Sequence, residues 1–125
     1  MSPEWTVFSA KCPSRESLAR IANKWTAMIV ILLAAQPLRF SELHRQVEGI
    51  TKKVLADTLR ALERDGMLRR APFADGHARY ELTALGQTLL EPLQALQTWA
   101  ESHVVEVLQS QENFDTAADD EALPR

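Results

Sequence analysis

The sequence is poor in residues that cross-link or interrupt a chain. In 125 residues it has one cysteine, four glycines and one tyrosine. A single cysteine, Cys12, excludes an internal disulfide framework and fits a reducing compartment, so the cytoplasm is the expected location. No Gly-rich phosphate loop and no Gly-x-Ser-x-Gly stretch occurs, and the chain is not expected to be an enzyme. The three histidines, His44, His77 and His103, lack any metal-ligand spacing, so neither metal nor cofactor is expected. Long apolar runs are also missing. The longest, "WTAMIVILLAA" at 25–35, is about half of a ~20-residue membrane span and reads as a core helix. No basic segment leads into an apolar run at the N-terminus, and no membrane partner is expected.

What is present is unevenly distributed. The net charge is −3, but residues 1–86 carry 13 Lys/Arg against 9 Asp/Glu, a balance of +4. Residues 87–125 carry 1 against 8, a balance of −7. The body is basic and the end acidic, and residues 111–125 read as a solvated, disordered tail. The length fits one domain with one core.

Periodicity gives the order of elements. A helix start is expected near Ser14, after Pro13. Trp25, Met28, Ile29, Leu32 and Leu33 recur at three and four, as on a buried helix that Pro37 stops. "LRF" is a short extended piece, and Ser41 is a good N-cap for "SELHRQV". Glu48-Gly49-Ile50 makes a tight turn, and Thr51 caps a helix with Leu55, Leu59 and Leu62 on one side. Lys53, Asp57, Arg60 and Arg64 fall on the opposite side at ~100° per residue. Gly66 ends it. "MLRRAPF" and "ARYELT" around Asp75-Gly76 form a hairpin. Thr83 caps one long final helix with a seam of Leu85, Leu89, Leu93, Leu96 and Trp99.

Two helices joined by a short Gly-containing turn, the second with a basic outer face, form a helix-turn-helix pattern, and a hairpin directly after it adds a wing. The fold class is therefore mainly α with a small β-hairpin wing (α+β), a winged helix-turn-helix with a long C-terminal dimerisation helix. Lys52 and Lys53 stand in a first turn that the helix dipole reserves for acids, which points to an expected anion. A basic face alone is ordinarily just solvated; the turn before it and the hairpin after it make double-stranded DNA the expected partner. The major-groove candidates are Thr51, Lys52, Lys53, Asp57 and Arg60, with Arg64 toward the backbone. Arg39 and Ser41 are expected on phosphate, and His77 and Arg79 on the wing beside the minor groove. Asp57 has two open roles: accepting from a cytosine amine, or holding Arg60 or Arg64.

The sequence also resembles the HxlR-type winged helix-turn-helix regulators, relatives of the MarR group. The resemblance runs over about residues 12–102. It rests on Cys12-Pro13, Lys24-Trp25, Arg39-Phe40, Glu42-Leu43, Ile50, Val54-Leu55, Leu59 to Leu62 and Asp65-Gly66, then Tyr80, Leu82-Thr83, Gly86 and Trp99. It implies dimeric bacterial transcription factors on operator DNA, many of them repressors, and repression is the expectation adopted. Ala78 and Arg79 stand where the family usually has Val and Glu, which makes this wing more positive. The domain plan is then an arm at 1–13, an HxlR-like winged helix-turn-helix domain at 14–110 and the tail.

Cys12 lies just before a helix, near Lys11 and Arg15, an environment that lowers a thiol pKa. It is the redox or electrophile sensor candidate, a role that several proteins resembling this family give a thiol here, so an oxidant or small-molecule effector is an expected partner. The apolar seam exceeds what a small core covers, so the far half of the last helix is expected to pack on a second copy in a homodimer. Leu89, Leu93, Leu96 and Trp99 are the interface candidates, with Trp5 and Phe8 in an arm across the partner. Two rivals stand: a winged helix that binds protein instead of DNA, and a regulator with an effector pocket at Trp25, Met28, Phe40 and Trp99.

Overall fold

A computed structural model describes residues 5–121. The chain falls into two compact units, Met1–Glu91 and Pro92–Arg125. The first opens with turns, in which the Ser9 N–H donates to the Thr6 carbonyl and the Cys12 N–H to that of Ser9. Helix α1, Pro13–Ile21, follows, with Pro13 in the first turn where its missing N–H costs nothing. It buries no residue. Helix α2, Lys24–Ala35, meets it at 74°. The Asn23 side chain caps α2 by accepting the Trp25 N–H at 2.8 Å, and Thr26, Ile29, Val30 and Leu33 are buried. Among the described residues no single helix is long and apolar enough to cross a membrane.

Leu38 is extended, as "LRF" suggests, because it pairs with Tyr80: each residue's N–H donates to the other's carbonyl, at 3.1 and 2.8 Å. Helix α3, Phe40–Gln46, begins earlier than Ser41 predicts. Arg39 takes the N-cap position, and the Glu42 carboxylate reaches back to accept its N–H at 2.8 Å. That is half of a capping box, formed by the acid three residues on.

The turn into α4, Lys52–Arg64, uses Gly49 at φ +90°. Thr51 caps it as expected, accepting the Val54 N–H at 3.1 Å. Leu55, Leu59 and Leu62 are at most 1% exposed. Burying three leucines contributes roughly 5–9 kcal/mol of gross transfer free energy, ample to fix which side of α4 faces in. The helix ends in a Schellman motif, with the Met67 N–H on the Leu62 carbonyl and the Gly66 N–H on that of Glu63, both 3.0 Å, and Gly66 at φ +78°.

Strands β1, Leu68–Pro72, and β2, Ala78–Leu82, pair antiparallel from Leu68 opposite Leu82 to Pro72 opposite Ala78. This is the two-stranded wing. The chain is a mostly helical winged helix-turn-helix, as its sequence predicts.

The last helix is not continuous from Thr83. Thr83 caps a short helix, α5, Ala84–Gln87, and α6, Leu90–Glu121, starts afresh. Pro92 explains the break. In one continuous helix it would have to donate to the Thr88 carbonyl, and it has no N–H; in the first turn of α6 none is needed. The acidic end departs from expectation too, since α6 runs to Glu121 through 111–121, leaving only 122–125 outside the described residues.

Gly86 is required where it sits. A Cβ there would lie 1.9 Å from the Met67 carbonyl oxygen. Gly86→Ala should therefore cost roughly 3 kcal/mol or more, at the upper end of overpacking substitutions. Gly76→Ala, at φ +84° with nothing within 4 Å, should cost about 1 kcal/mol. Urea unfolding of the two variants checks the order; equal losses would remove the steric account.

Candidate nucleic-acid interface

The exposed side of α4 carries the expected charges. Lys53 and Arg60 are 85% and 79% exposed at the side chain. Thr51, Lys52 and Arg64 are exposed as well. The Thr51 hydroxyl oxygen is used by the cap, which leaves its proton free to donate. No acid occupies the first turn, so Lys52 and Lys53 add to the positive helix end.

Asp57 is the acid on this face. It accepts from Lys53 at 2.9 Å and lies 3.9 Å from Arg60. The Lys53 hydrogen bond and charge, with Arg60 further off, hold its pKa below the usual aspartate value. Of the two roles open from sequence, holding a neighbour has geometry here, and the neighbours are Lys53 and Arg60.

The wing distributes its charges differently. Arg79 makes two hydrogen bonds to Asp75, at 3.0 and 2.7 Å, and its guanidinium lies 4.9 Å from the Phe73 ring centroid. Its side chain is only 22% exposed. Asp75 also accepts the His77 N–H, and its pKa falls well below the carboxylate range because of the Arg79 hydrogen bond first and this amide second. Arg79, expected at the minor groove, is thus committed to building the turn. His77 is exposed at the wing.

Sequence reasoning takes Arg69 and Arg70 together, as the basic pair after the helix, and does not tell them apart. Arg69 and Arg70 are adjacent on β1, where alternate side chains leave opposite faces. Arg69 is tied to Glu81 at 2.8 Å. Arg70, with no ion pair among the described residues, lines a cleft of about 620 Å³ together with Arg39, Ser41 and Arg60. Strand alternation and the cross-strand Glu81 were the signals that could have separated the two arginines. Phe40 lines this cleft too, instead of a pocket with Trp25 and Met28, and Met28 is exposed. His44 lies on α3, and His103 on α6 donates its Nδ1–H to the Trp99 carbonyl at 2.8 Å and stacks on the Trp99 ring.

The interface candidates divide. Leu96 and Trp99 are 61% and 57% exposed on α6, and Trp5 and Phe8 are exposed in the N-terminal turns. Leu89 is half-buried. Leu93 is 1% exposed, unlike Leu96 and Trp99. The steps of four and three from Leu89 through Leu93 to Leu96 did not reveal that difference.

Cys12 is the N-cap residue of α1 and half-buried. Its thiol pKa is lowered, chiefly by the Ser14 hydroxyl 2.9 Å from Sγ, against a smaller upward effect of desolvation, and further by backbone amides. The cause is hydrogen bonding, not the Lys11 and Arg15 charges that the sequence suggests.

A family model, HxlR-like helix-turn-helix, matches residues 20–107. This chain belongs to that family. It is 40% identical over 107 residues to the uncharacterized HTH-type transcriptional regulator YtfH of Escherichia coli K12, covering 84% of this chain and 85% of that protein. The solved structure of ytfH from Salmonella typhimurium superposes with a TM-score of 0.79 at 37% identity, over 87% of this chain and 99% of that one. The reduced form of the transcriptional regulator YodB from Bacillus subtilis gives 0.63 at 30%, over 72% and 91%, and YodB is also known in a quinone-bound structure. The relatives named are HTH-type transcriptional regulators, and the α3–α4 pair of this chain lies within the residues that the family model matches.

Ser14→Ala should raise the Cys12 pKa. A lowered value means more thiolate at neutral pH, so the variant's alkylation by iodoacetamide should be slower near pH 7 and its rate midpoint shifted upward. A pH–rate profile identical to wild type would remove Ser14 as the cause.

Proposed function

We propose that this HxlR-like protein is a homodimeric, sequence-specific DNA-binding regulator, acting as a repressor on a pseudo-palindromic operator in the cytoplasm. One observation carries the reading: Lys53, Arg60 and Arg64 stand on the solvent side of α4, opposite the buried Leu55, Leu59 and Leu62, with Lys52 exposed in its first turn, α3 before it and the wing after it. A helix presented this way fits the major groove, where cations neutralise phosphates and a guanidinium can pair with guanine. Arg39, Ser41 and His77 flank it as backbone contacts. Asp57 orients Lys53 and Arg60, and Arg79 supports the wing from beneath.

The division between backbone and base contacts is testable. Lys53→Ala should weaken binding to every duplex alike and flatten the slope of log affinity against log salt by about one. Arg60→Ala should relax preference at one base position, by roughly 5- to 150-fold. Selection from a random duplex pool, followed by salt titration, measures both. Failure of wild type to retain any duplex would favour the protein-binding rival.

Self-association is supported by the apolar residues that a single chain leaves exposed, Leu18 on α1 and Leu96, Trp99, Val104, Val107 and Leu108 on α6. Trp99→Glu with Leu96→Glu should shift the protein from dimer to monomer in sedimentation, without loss of helical signal. It should also lower affinity for a two-half-site duplex more than for a single half-site.

Cys12 favours an oxidant or electrophile as effector. Its lowered pKa supports this, as does the quinone-bound form of YodB among the relatives.

A further inference from the structure

The cleft between α3, α4 and the hairpin holds a charge cluster that the helix face alone does not account for. Its volume of about 620 Å³ falls in the range of small-ligand sites. Arg39 enters from the start of α3, Arg60 from α4 and Arg70 from β1, and Glu63 is the one acid in the lining. None of the three guanidiniums is satisfied within the cleft. Arg60 is 3.9 Å from its nearest carboxylate oxygen, beyond hydrogen-bond reach. Arg70 has no ion pair among the described residues. Arg39 Nε is buried with no hydrogen-bond partner, 3.6 Å from Glu42 Oε1. The Arg39 side chain is 38% exposed, so its guanidinium is open to an oxyanion arriving in the cleft, and Nε is the one side-chain donor among the described residues left buried without a partner. Tyr80 and Ser41 line the same cleft, and each carries a hydroxyl that can donate.

We propose that this cleft is a seat for a phosphate group, held by Arg39 and Arg70, with Arg60 at its edge left for the base contact. Guanidiniums offer forked donors that match phosphate oxygens, and two from separate elements fit an anion of more than one exposed edge. The phosphate has two sources: a phosphodiester of a DNA strand lying between α4 and the wing, or the head of a free phosphorylated metabolite. The first rests on the DNA-binding reading above; the second does not. Either way Arg70 and Tyr80 acquire a role. Arg69 is the built-in control, adjacent in sequence, outside the lining and neutralised by Glu81.

The test titrates the full chain with inorganic phosphate at constant ionic strength, following backbone amide shifts at Ser41, Ala56 and Ala78. Saturable shifts are expected in wild type and Arg69→Ala and should be lost in Arg70→Ala. Arg70→Gln replaces that variant if its amide spectrum shows unfolding. The same proteins are then titrated with random-sequence duplex over a salt series. If DNA supplies the phosphate, Arg70→Ala lowers the salt slope by about one and Arg69→Ala leaves it unchanged. A lost phosphate response with an unchanged slope assigns the seat to a free phosphate ester. Wild type that saturates with phosphate yet retains no duplex keeps the seat and removes the DNA reading. Arg70→Ala and Arg69→Ala behaving alike in both titrations overturns the proposal.

Discussion

The position of the wing depends on one backbone junction. Thr83 donates its hydroxyl to the Gly66 carbonyl, accepts the Gly86 N–H at 3.1 Å, and sends its own N–H to the Met67 carbonyl at 3.1 Å. Gly86 lies so close to Met67 that no side chain fits between them. The end of α4, the base of the hairpin and the start of α5 are thereby held as one piece. Each neutral hydrogen bond adds only about 1 kcal/mol net, so the steric closeness at Gly86 sets the geometry and the bonds keep it. The consequence reaches the far side of the hairpin, where Arg70 and His77 stand beside Arg60 only because the strands leave α4 at this point.

Ion pairing then decides which of the many cations are free. Asp57 takes Lys53, Glu81 takes Arg69 and Asp75 takes Arg79. The first two pairs are exposed at the cation, and pairs of that kind add little to stability and exchange readily for another anion. The third is different: Arg79 is mostly buried, doubly hydrogen-bonded and set against Phe73, so releasing it would dismantle the turn. Counting Lys and Arg along the wing therefore overstates what it offers a polyanion, while the cleft, with Arg39 and Arg70, offers more than a count suggests.

The sequence made the fold legible wherever a period or a turn residue was strong. The leucine stripe of α4, its Thr51 cap, its Gly66 end and the Asp75-Gly76 hairpin are all local signals, and each corresponds to a local interaction. Legibility failed where the deciding contact was distant in sequence. Leu93 and Leu96 look alike on a helical wheel, yet one is buried and the other open. Arg69 and Arg70 look alike in the chain, and only the opposite strand tells them apart. Ser41 is a good N-cap by type, but the Leu38–Tyr80 bridge and the Glu42 carboxylate set the start of α3 at Arg39.

The acidic end shows a different failure. Composition argues for disorder, because a segment rich in acids cannot bury enough to offset its own ordering. That argument treats the segment as isolated. Here it continues a helix already formed upstream, so the unfavourable nucleation step does not recur, and each further residue adds only a propagation step. Between 108 and 121 there is neither Gly nor Pro to stop it, and Gln, Glu and Ala propagate well. Acids near a helix C-terminus oppose the dipole, but the penalty is confined to the last turn. The helical state also changes what the acids can do. Glu112, Asp115 and Asp119 follow one another at three and four, so they share one side of α6 and hold a fixed spacing that a disordered tail would not have.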